Sequence, residues 1–508
     1  MPSPAEPCAL ILLALTLIPA PGLAHQPPMS EQVEVLVFLP QNNSYLFSRA
    51  RVAPALRYAA RRLGGAGGNF SGFRFDFHFE RCERTNDALF ALAERSCGRR
   101  PDLILGPVRE YEAAGVVRLA SHWRIPVISA GALALSFGTK DSEYSHLTRI
   151  APSYVKMAEA VAKLFQHFSW SRVQLLYEDD REERNCYFTL EGVYHLLGAD
   201  YSLTTYLLSE EEPWSPEDVL HKSEDCEVVM MCMGADRIRE LMLAAHRLQM
   251  TKGNHIFFNV ELFNASSYGN GSWRRGDQYD DEARQAYASL NTVTLLKTVK
   301  PEFENFSMEM TNSAENTGLD DCKDCGNVNM FIEGFHDALL LYAIALHEAM
   351  KNGFSKKNGT EITLLMRDRT FEGIAGQVSI DTSGDRNGDF SLMSMTDVEA
   401  GTYEAVANYY GANRTFEWLS AYNVEHFKLK ERPGAKPELP EKSCGLGVSA
   451  LTGVVVGAVL GALMLVAFYF FRKNYSITIQ RRTHSEELDS GKHRQLREDS
   501  IRSNFSTA

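Results

Sequence analysis

An uncharged, apolar run near the C-terminal end is the strongest pattern in the chain. Residues 448–471 read VSALTGVVVGAVLGALMLVAFYFF, and about 20 apolar residues are enough to cross the hydrocarbon core of a membrane. A buried core helix is the alternative, but core helices seldom run this long without a polar face. Arg472 and Lys473 follow at once, and basic residues collect on the cytoplasmic side of a span. The pattern therefore predicts one transmembrane helix over 448–471 and a cytoplasmic tail over 472–508.

A second, shorter apolar stretch lies near the N-terminus. Residues 9–20 read ALILLALTLIPA and are followed by Gly22-Leu23-Ala24, the order of apolar core and small-residue cleavage site found in a secretory signal peptide. We therefore predict a signal peptide over residues 1–24. The expected topology is single-pass type I at the plasma membrane, with the region between the two apolar segments outside the cell.

Short apolar runs alternate with amphipathic stretches throughout the exported region. The apolar runs predict strands near residues 34–40, 73–79, 102–106, 126–130, 173–177, 228–231 and 255–258. The amphipathic stretches predict helices over 48–63, 86–95 and 110–121, another from Cys186, and a long one within 326–350. Such alternation is typical of parallel sheets covered by helices on both faces, and more than 400 residues exceed one compact core. We predict an α/β, bilobed ectodomain over 25–430, with a Pro-rich stalk over 431–447.

Charge separates the two sides of the membrane. The chain has a formal net charge of -13, whereas residues 472–508 hold eight Lys or Arg and five Asp or Glu. The remainder is therefore strongly acidic, which disfavours nucleic acid as a partner and favours cationic ligands, mainly through the association rate. The alternative is that the acidity only keeps an exported domain soluble.

Cysteines and glycosylation sequons agree with export. Every cysteine except Cys8 of the predicted signal peptide lies in the exported region, which is typical of disulfide usage in an oxidising compartment. Asparagines in Asn-x-Ser/Thr sequons predict N-glycosylation. They are Asn42, Asn69, Asn264, Asn270, Asn305, Asn358 and Asn413.

Several stretches resemble enzyme or metal motifs without completing them. Residues 381–389, DTSGDRNGD, lack the glycine and the closing Glu of a calcium loop, so we predict a turn between strands. His347-Glu348 lacks the second histidine of a zinc protease helix. Cys322 and Cys325 predict a local disulfide, with a redox-active pair as the alternative. The sequence therefore predicts neither an enzyme nor a metal site.

One predicted helix carries an aromatic and acidic face. Tyr187, Leu190, Glu191 and Tyr194 follow at i, i+3, i+4 and i+7 and so share one side of the helix from Cys186. A carboxylate is costly in a core, so this face suits a basic, partly apolar ligand. Packing against the neighbouring lobe is the alternative. Val193, Leu196 and Leu197 are expected to form the core side.

The chain resembles a known receptor family along nearly its whole length. The segments that carry the resemblance are KDSEYSHLTRIAPSY at 140–154, RNCYFTLEGVYH at 184–195, YGNGSWRRGD at 268–277, TVKPEFENFSME at 298–309, FEGIAGQVSID at 371–381 and GKHRQLREDSIRSNFS at 491–506. They resemble the natriuretic peptide receptors, in particular the clearance type (type C). The resemblance implies a type I periplasmic-binding-protein-like ectodomain and a homodimer that grips one cyclic, basic natriuretic peptide.

The implied function is hormone binding and clearance by internalisation. The 37 residues after Phe471 are too few for the kinase-like and guanylyl cyclase domains of the longer relatives. Two other classes stay open: an ectoenzyme with an unrecognised site, and an adhesion or scaffolding protein that uses the lobes structurally.

The resemblance also implies roles for individual residues. It assigns the face with Tyr187 and Glu191 to the hormone, and it adds Tyr111, Arg118 and Tyr144 as contacts. It pairs Cys186 with Cys232, a loop whose closure contributes about 4 kcal/mol in the chain-entropy treatment, and it makes Cys444 the interchain disulfide.

The sequence departs from the family at Arg109, where relatives have a cysteine that closes a loop near a chloride site. Loop disulfide and chloride are therefore both in doubt, and we predict no cofactor. Cys82 and Cys97 flank a predicted helix and are a possible substitute pair, subject to geometry. With Cys444 between chains, seven outer cysteines remain, so one, most simply Cys226, keeps its thiol.

The tail carries two basic clusters. Arg481 and Arg482 form the first, and His493, Arg494 and Arg497 form the second. Relatives use this arrangement to activate an inhibitory G protein, and a short basic segment beside an anionic membrane can present cations to a partner. The alternative is that these residues only set the topology.

Overall fold

The structure is a computed structural model, and it describes residues 31–65, 70–179, 183–208, 214–263, 269–298, 300–316, 326–419 and 427–429, with the single residue Met464. The chain divides into two compact units, residues 1–432 and 433–508, and the fold below is that of the first. The predicted signal peptide, stalk and tail lie outside the described residues, as does the predicted membrane span apart from Met464. So do Asn69, Asn264, Cys322, Cys325 and Cys444.

Strands and helices alternate as the pattern predicts. The strands are β1 (Glu31–Phe38), β2 (Phe73–Glu80), β3 (Leu103–Leu105), β4 (Val127–Ser129), β5 (Leu147–Pro152), β6 (Arg172–Glu178), β7 (Ser202–Leu208), β8 (Val228–Cys232), β9 (Ile256–Glu261), β10 (Leu290–Leu295), β11 (Arg369–Glu372), β12 (Gln377–Ile380), β13 (Asp385–Arg386), β14 (Phe390–Asp397), β15 (Thr402–Tyr410) and β16 (Thr415–Trp418). The helices are α1 (Arg49–Gly64), α2 (Asp87–Gly98), α3 (Glu110–His122), α4 (Tyr154–Phe168), α5 (Asn185–Leu197), α6 (Pro216–His221), α7 (Ala235–Arg247), α8 (Asp280–Tyr287), α9 (Pro301–Asn316), α10 (Met330–Lys351) and α11 (Gly359–Leu365).

Two eight-stranded sheets form the two lobes. The first has the order β11-β12-β13-β5-β4-β3-β1-β2, and the second has the order β16-β15-β14-β10-β9-β8-β6-β7. In each sheet the first five strands in the chain are parallel. In the first sheet β13 also joins β5 in parallel, and the other later strands of both sheets pair antiparallel on one side. The chain therefore passes between the lobes three times, after β5, after β10 and after β13. The predicted bilobed α/β fold is confirmed.

The burial of each strand explains whether its sequence is a continuous run of apolar residues. In β1, Val35, Val37 and Phe38 have no exposed surface and Leu36 has 1%, because β1 lies inside the sheet with helices on both faces. The edge strand β2 is less buried: exposed Arg74 lies between buried Phe73 and Phe75, and the rest of the strand is half-buried.

Helix α10 is a core element of the first lobe. It is the one described helix long and apolar enough to span a membrane by composition, but 72% of its most apolar window is buried inside the protein. Phe335, Leu339 and Tyr342 have no exposed surface. Asn329 caps its start, since Oδ1 accepts from the amides of Phe331 and Ile332 at 2.9 and 3.2 Å.

A buried ionic cluster ties β5 to the returning strand β13. Arg149 is 2% exposed, and its Nε and Nη2 donate to the two carboxylate oxygens of Asp385 at 2.7 and 2.5 Å. Lys140 Nζ lies 2.9 Å from the same carboxylate. These two cations hold the pKa of Asp385 well below its usual range, although burial alone would raise it.

The loop that resembles a calcium site belongs to this cluster. Asp381 pairs with Lys156 of α4 at 2.9 Å, and its Oδ1 accepts from the amides of Ser383 and Asp385, each at 2.9 Å. Protein cations and amides therefore satisfy both aspartates, and residues 381–384 form the turn between β12 and β13 that the sequence predicts. The Lys156 contact also joins the second lobe to the first.

The suggested pair of Cys82 and Cys97 is wrong, because both are thiols. Cys82 is buried before α2, whereas Cys97 is exposed in its last turn, where Sγ donates to the carbonyl of Ala93 at 3.4 Å. With a rise of about 1.5 Å per residue, α2 holds the two sulfurs at opposite ends. The disulfide Cys186–Cys232, which the resemblance implies, is present, with the Cα atoms 5.2 Å apart. Cys226 is a buried thiol near Thr204.

The described sequon asparagines lie at the surface or close to it. Asn42, Asn270, Asn305 and Asn413 are exposed. Asn358 is partly buried, and its Oδ1 accepts from the amide of Glu361 at 3.2 Å, capping α11. Glycosylation stays a prediction.

We expect Asp385→Asn to destabilise the protein by about 3–5 kcal/mol, because it leaves Arg149 and Lys140 buried without a carboxylate. The stabilisation is complete above the pKa of an unfolded aspartate and is lost as the pH falls through the lower folded value. Chemical denaturation at neutral pH measures the effect. Asp381→Asn is the matched control, since Lys156 also contacts Asn387 and Glu159; equal losses in the two variants would contradict the assigned role of Asp385.

Candidate ligand-binding site

Helices α5 and α3 meet where the two lobes adjoin. The ring of Tyr111, at the start of α3, lies 6.0 Å from the ring of Phe188 on α5, edge to face. Phe188 packs against the apolar cores of both lobes. Sequence reasoning missed Phe188, since it lies one position off the predicted face and reads as an ordinary core aromatic.

Three of the four predicted positions on α5 form an accessible face. Tyr194 is 51% exposed, and Tyr187 and Glu191 are partly buried. The hydroxyl of Tyr187 donates to Oε1 of Glu191 at 3.3 Å. Burial raises the pKa of Glu191 above its ordinary value, while Tyr187, Arg184 and His195 act in the other direction. This face, defined as Tyr187, Glu191 and Tyr194, presents one carboxylate between two phenol rings.

Leu190 is not part of that face. It is 2% exposed and packs in the core of the second lobe with Val193 and Leu197. At about 100° per residue, Leu190 lies on the side of the stripe that turns toward Val193 and Leu197. Leu196, which was expected to serve the core, is 40% exposed.

Tyr144 is not exposed to a ligand either. Its side chain is 2% exposed, and its ring lies 4.9 Å from that of Phe137 in the core of the first lobe. The guanidinium of Arg118 lies 5.0 Å above the Tyr144 ring and pairs with Glu143 at 2.8 Å. Arg118, with a half-exposed side chain, faces solvent, and Tyr144 supports it from below.

Arg184, directly before α5, contacts that helix and the end of β6. Its Nε donates to Asp179 at 2.9 Å, its Nη2 lies 2.7 Å from the same carboxylate, and its guanidinium lies 4.1 Å from the ring of Tyr187. Its backbone is left-handed, with φ 56°. No sequence pattern identified this residue, because the segment before the helix shows neither a capping residue nor a glycine.

A pocket of about 320 Å³ opens beside Tyr111, between the lobes. Its lining includes Tyr45, Arg109, Glu110, Glu112, Glu183 and Asn185. Burial raises the pKa of both Glu110 and Glu112 to about 7. Among the residues that the structure describes, no group of three or more His, Cys, Asp or Glu side chains could hold a metal ion.

Arg109 links the start of α3 to the loop before α2. Its Nη2 donates to the carbonyls of Cys82 and Glu83 at 2.9 and 3.0 Å, and its Nη1 donates to the hydroxyl of Tyr45 at 3.1 Å. It also pairs with Glu112. The polar contacts of Arg109 therefore hold this loop in place. The family resemblance implies that relatives have a disulfide there.

Comparisons with known proteins agree on one kind of receptor. A profile of the receptor family ligand binding region matches residues 51–398. The chain is 54% identical to atrial natriuretic peptide receptor 3 of Rattus norvegicus over 94% of this chain and 92% of that protein. It is also 54% identical to the Homo sapiens receptor 3, over 94% and 91%. Identity to the Homo sapiens atrial natriuretic peptide receptor 2 is 30%, over 90% of this chain but 45% of that protein.

Glu191→Gln should weaken the binding of a cyclic, basic natriuretic peptide by about tenfold or more, since a hydrogen bond to a charged group contributes about 1.5–3 kcal/mol. Because the pKa of Glu191 is raised, its carboxylate takes up a proton at a higher pH than an exposed glutamate. As the pH is lowered, the affinity of the wild type should therefore begin to fall at a higher pH than it would with an ordinary glutamate. This part of the pH dependence should be absent in the variant.

Equilibrium binding over a pH series, with melting curves, tests this expectation. Glu217→Gln is the matched control, because Glu217 is an exposed glutamate elsewhere in the second lobe. Unchanged affinity in Glu191→Gln, with an unchanged melting curve, would remove Glu191 from the site.

Proposed function

The chain belongs to the natriuretic peptide receptor family, and we propose that it binds cyclic, basic natriuretic peptides at the cell surface and clears them by internalisation. The observation that carries the proposal is the accessible face of Tyr187, Glu191 and Tyr194, which lies beside Tyr111 at the junction of the lobes. Two aromatic rings around a carboxylate suit a peptide that is both basic and partly apolar.

We propose that the protein acts without guanylyl cyclase activity. The chain covers 92% of the length of one receptor 3 relative but only 45% of the length of a receptor 2 relative. The part of receptor 2 that this chain does not match is thus longer than the part that it does match. Ligand-dependent cyclic GMP formation by this chain alone would contradict the proposal.

We propose a homodimer as the binding unit. Phe90 on α2 is 60% exposed and Tyr111 on the adjoining α3 is 45% exposed, and we propose that the second copy covers these two aromatic side chains. In the proposed dimer Cys444 forms the interchain disulfide. Cys444→Ser should remove the covalent dimer from a non-reducing gel, and its persistence would assign the link to another cysteine.

We propose that binding needs no chloride. The residues around Arg109 do not suit an anion, because Nη1 and Nη2 of its guanidinium already contact Tyr45, the carbonyls of Cys82 and Glu83, and Glu112. Glu110 and Glu112 line the same pocket, and their ionised forms repel chloride at short range. Peptide affinity that rises with chloride concentration at constant ionic strength would overturn this proposal.

Radioligand competition tests the proposed function. The full chain, expressed in cells that lack other natriuretic peptide receptors, should bind labelled peptide saturably, and unlabelled cyclic peptide should displace it. Linearised peptide should compete less well, because it must give up conformational entropy on binding. Cell-associated label should then become resistant to an acid wash as the receptor is internalised. Absence of saturable binding would refute the proposal and leave the ectoenzyme and scaffold alternatives.

We also propose that the tail couples the receptor to an inhibitory G protein through its two basic clusters. Truncation after Lys473 should leave peptide binding intact, because the ectodomain and the predicted span are unchanged, and it should abolish any ligand-dependent fall in cyclic AMP. Arg494→Ala with Arg497→Ala should blunt the response while sparing the first cluster. A truncated receptor that still lowers cyclic AMP would reduce the tail to a topology signal.

A further inference from the structure

We propose that the pocket between the lobes binds a small organic cation, with the carboxylate of Glu110 as its counter-ion and a row of aromatic rings as one wall. The pocket has a volume of about 320 Å³, at the lower end of the range of about 300–1,000 Å³ that is typical of small-molecule sites. A ligand of this class carries one amine and a short apolar body. The inference does not rest on the proposed function, because it concerns a ligand other than the peptide.

Glu110 is a buried carboxylate that lacks a cation as partner. The residue is 8% exposed and lines the pocket. Its Oε1 accepts from the amide of Leu133 at 3.0 Å, and its Oε2 accepts from the amide of Ala134 at 3.3 Å. No residue that the structure describes forms an ion pair with it, and glutamates are seldom buried without one. Each carboxylate oxygen can accept a further hydrogen bond, so a positively charged ligand in the pocket would complete the pairing.

The other charged groups of the lining leave an excess of negative charge. Arg109 is already held by two backbone carbonyls and pairs with Glu112. Glu183 adds a further carboxylate, and its Oε2 accepts from the side-chain amide of Asn185 at 3.2 Å. The pocket lining thus places the carboxylates of Glu110, Glu112 and Glu183 against one guanidinium. A concave site with charges of one sign in excess raises the local concentration of ligands of the opposite sign.

A row of aromatic rings crosses from one lobe to the other along the pocket. Phe263, which follows β9 of the second lobe, stacks on Phe331 of α10 with ring centres 5.6 Å apart. Phe331 and Phe47 are 5.1 Å apart, and Tyr45 lies 5.3 Å from Phe47. All four residues line the pocket. Aromatic faces attract organic cations and offer an apolar body a large contact area. A metal ion is a poorer fit, since the described His, Cys, Asp and Glu side chains form no group that could hold one.

The protonation of Glu110 provides a signature of the bound cation. Burial raises the pKa of Glu110 to about 7, so without a ligand its carboxyl group is partly protonated at neutral pH. The charged groups around it are Arg149 of β5, Glu183 before α5, and Glu112 with Arg109 at the start of α3. A cation favours the ionised carboxylate, and an alkylamine stays charged in this pH range. The affinity for the cation should therefore increase as the pH rises through about 7, and the increase should be smaller in Glu110→Gln.

Equilibrium dialysis of labelled phenethylamine against the purified full-length receptor tests the inference. We expect saturable binding of the amine, and binding about tenfold weaker for phenethyl alcohol, which has nearly the same shape without the charge. Phenylpropionate, an anion of similar size, should not bind. No saturable binding of the amine at millimolar concentration, or equal binding of the amine and the alcohol, would overturn the inference.

Two variants test whether the amine occupies this pocket. Glu110→Gln removes the charge and keeps one acceptor for the backbone amides, and it should weaken amine binding about tenfold. Thr85→Trp leaves the carboxylates unchanged and should abolish amine binding, because Thr85 is an exposed residue of the lining where a large side chain narrows the opening. Thr205→Trp, at an exposed position on β7, is the matched control.

The Thr85→Trp variant decides the matter even if Glu110→Gln fails to fold, as melting curves would show. Unchanged amine affinity in Thr85→Trp would overturn the inference. Peptide binding by the wild type is measured separately, so the failure of the amine to bind would leave the proposed function standing, and the failure of the peptide to bind would leave this inference standing.

Discussion

Arg149 and Lys140 are buried together in the first lobe, and the carboxylate of Asp385 pairs with both of them. Arg149 and Lys140 come from the first third of the chain, whereas Asp385 arrives some 236 residues later than Arg149. Unpaired, either cation would cost several kcal/mol in that position. The first lobe therefore contains segments from both sides of the sequence of the second lobe. Strands β6–β10 of the second lobe precede α9, α10 and β11–β13, which complete the first. After β13 the chain continues directly into β14 of the second sheet. The ionic cluster therefore lies next to the segment that completes both sheets.

This interleaving explains why the candidate site lies at the junction of the lobes. Helix α3 belongs to the first lobe and α5 to the second, and their aromatic side chains, Tyr111 and Phe188, meet across the boundary. Small changes in the relative position of the lobes would alter how Tyr111 and the face of Tyr187, Glu191 and Tyr194 are presented together.

The periodicity of apolar residues predicted the positions of individual strands and helices, which depend on the local backbone geometry. The alternation of apolar and amphipathic stretches located β1, α1, α3 and α10 within a few residues, because a strand or helix face repeats along the chain. Periodicity could not tell that Leu190 turns inward and Leu196 outward, since the direction of the core is set by packing against another element. Tyr144 was assigned by the family resemblance and not by periodicity, and the structure buries its side chain in the core of the first lobe. Arg184 could not be found at all, because its contacts with Asp179 and Tyr187 depend on the folded chain and its left-handed backbone has no sequence signal. The suggested pair of Cys82 and Cys97 failed because the sequence showed a helix at this place but not that Cys97 lies within its last turn, far along the helix from Cys82.

The disulfide between Cys186 and Cys232 has a consequence for the integrity of the chain. It joins the first turn of α5 to the end of β8, and 46 positions separate the two cysteines. All of β7 and α6, and the connections around them, lie inside this covalent ring. A protease that cut one peptide bond anywhere in the ring would leave both fragments attached, with their sheet and helix contacts in place. A nicked receptor would therefore keep its apparent mass and its peptide-facing surface until a reductant released the fragments.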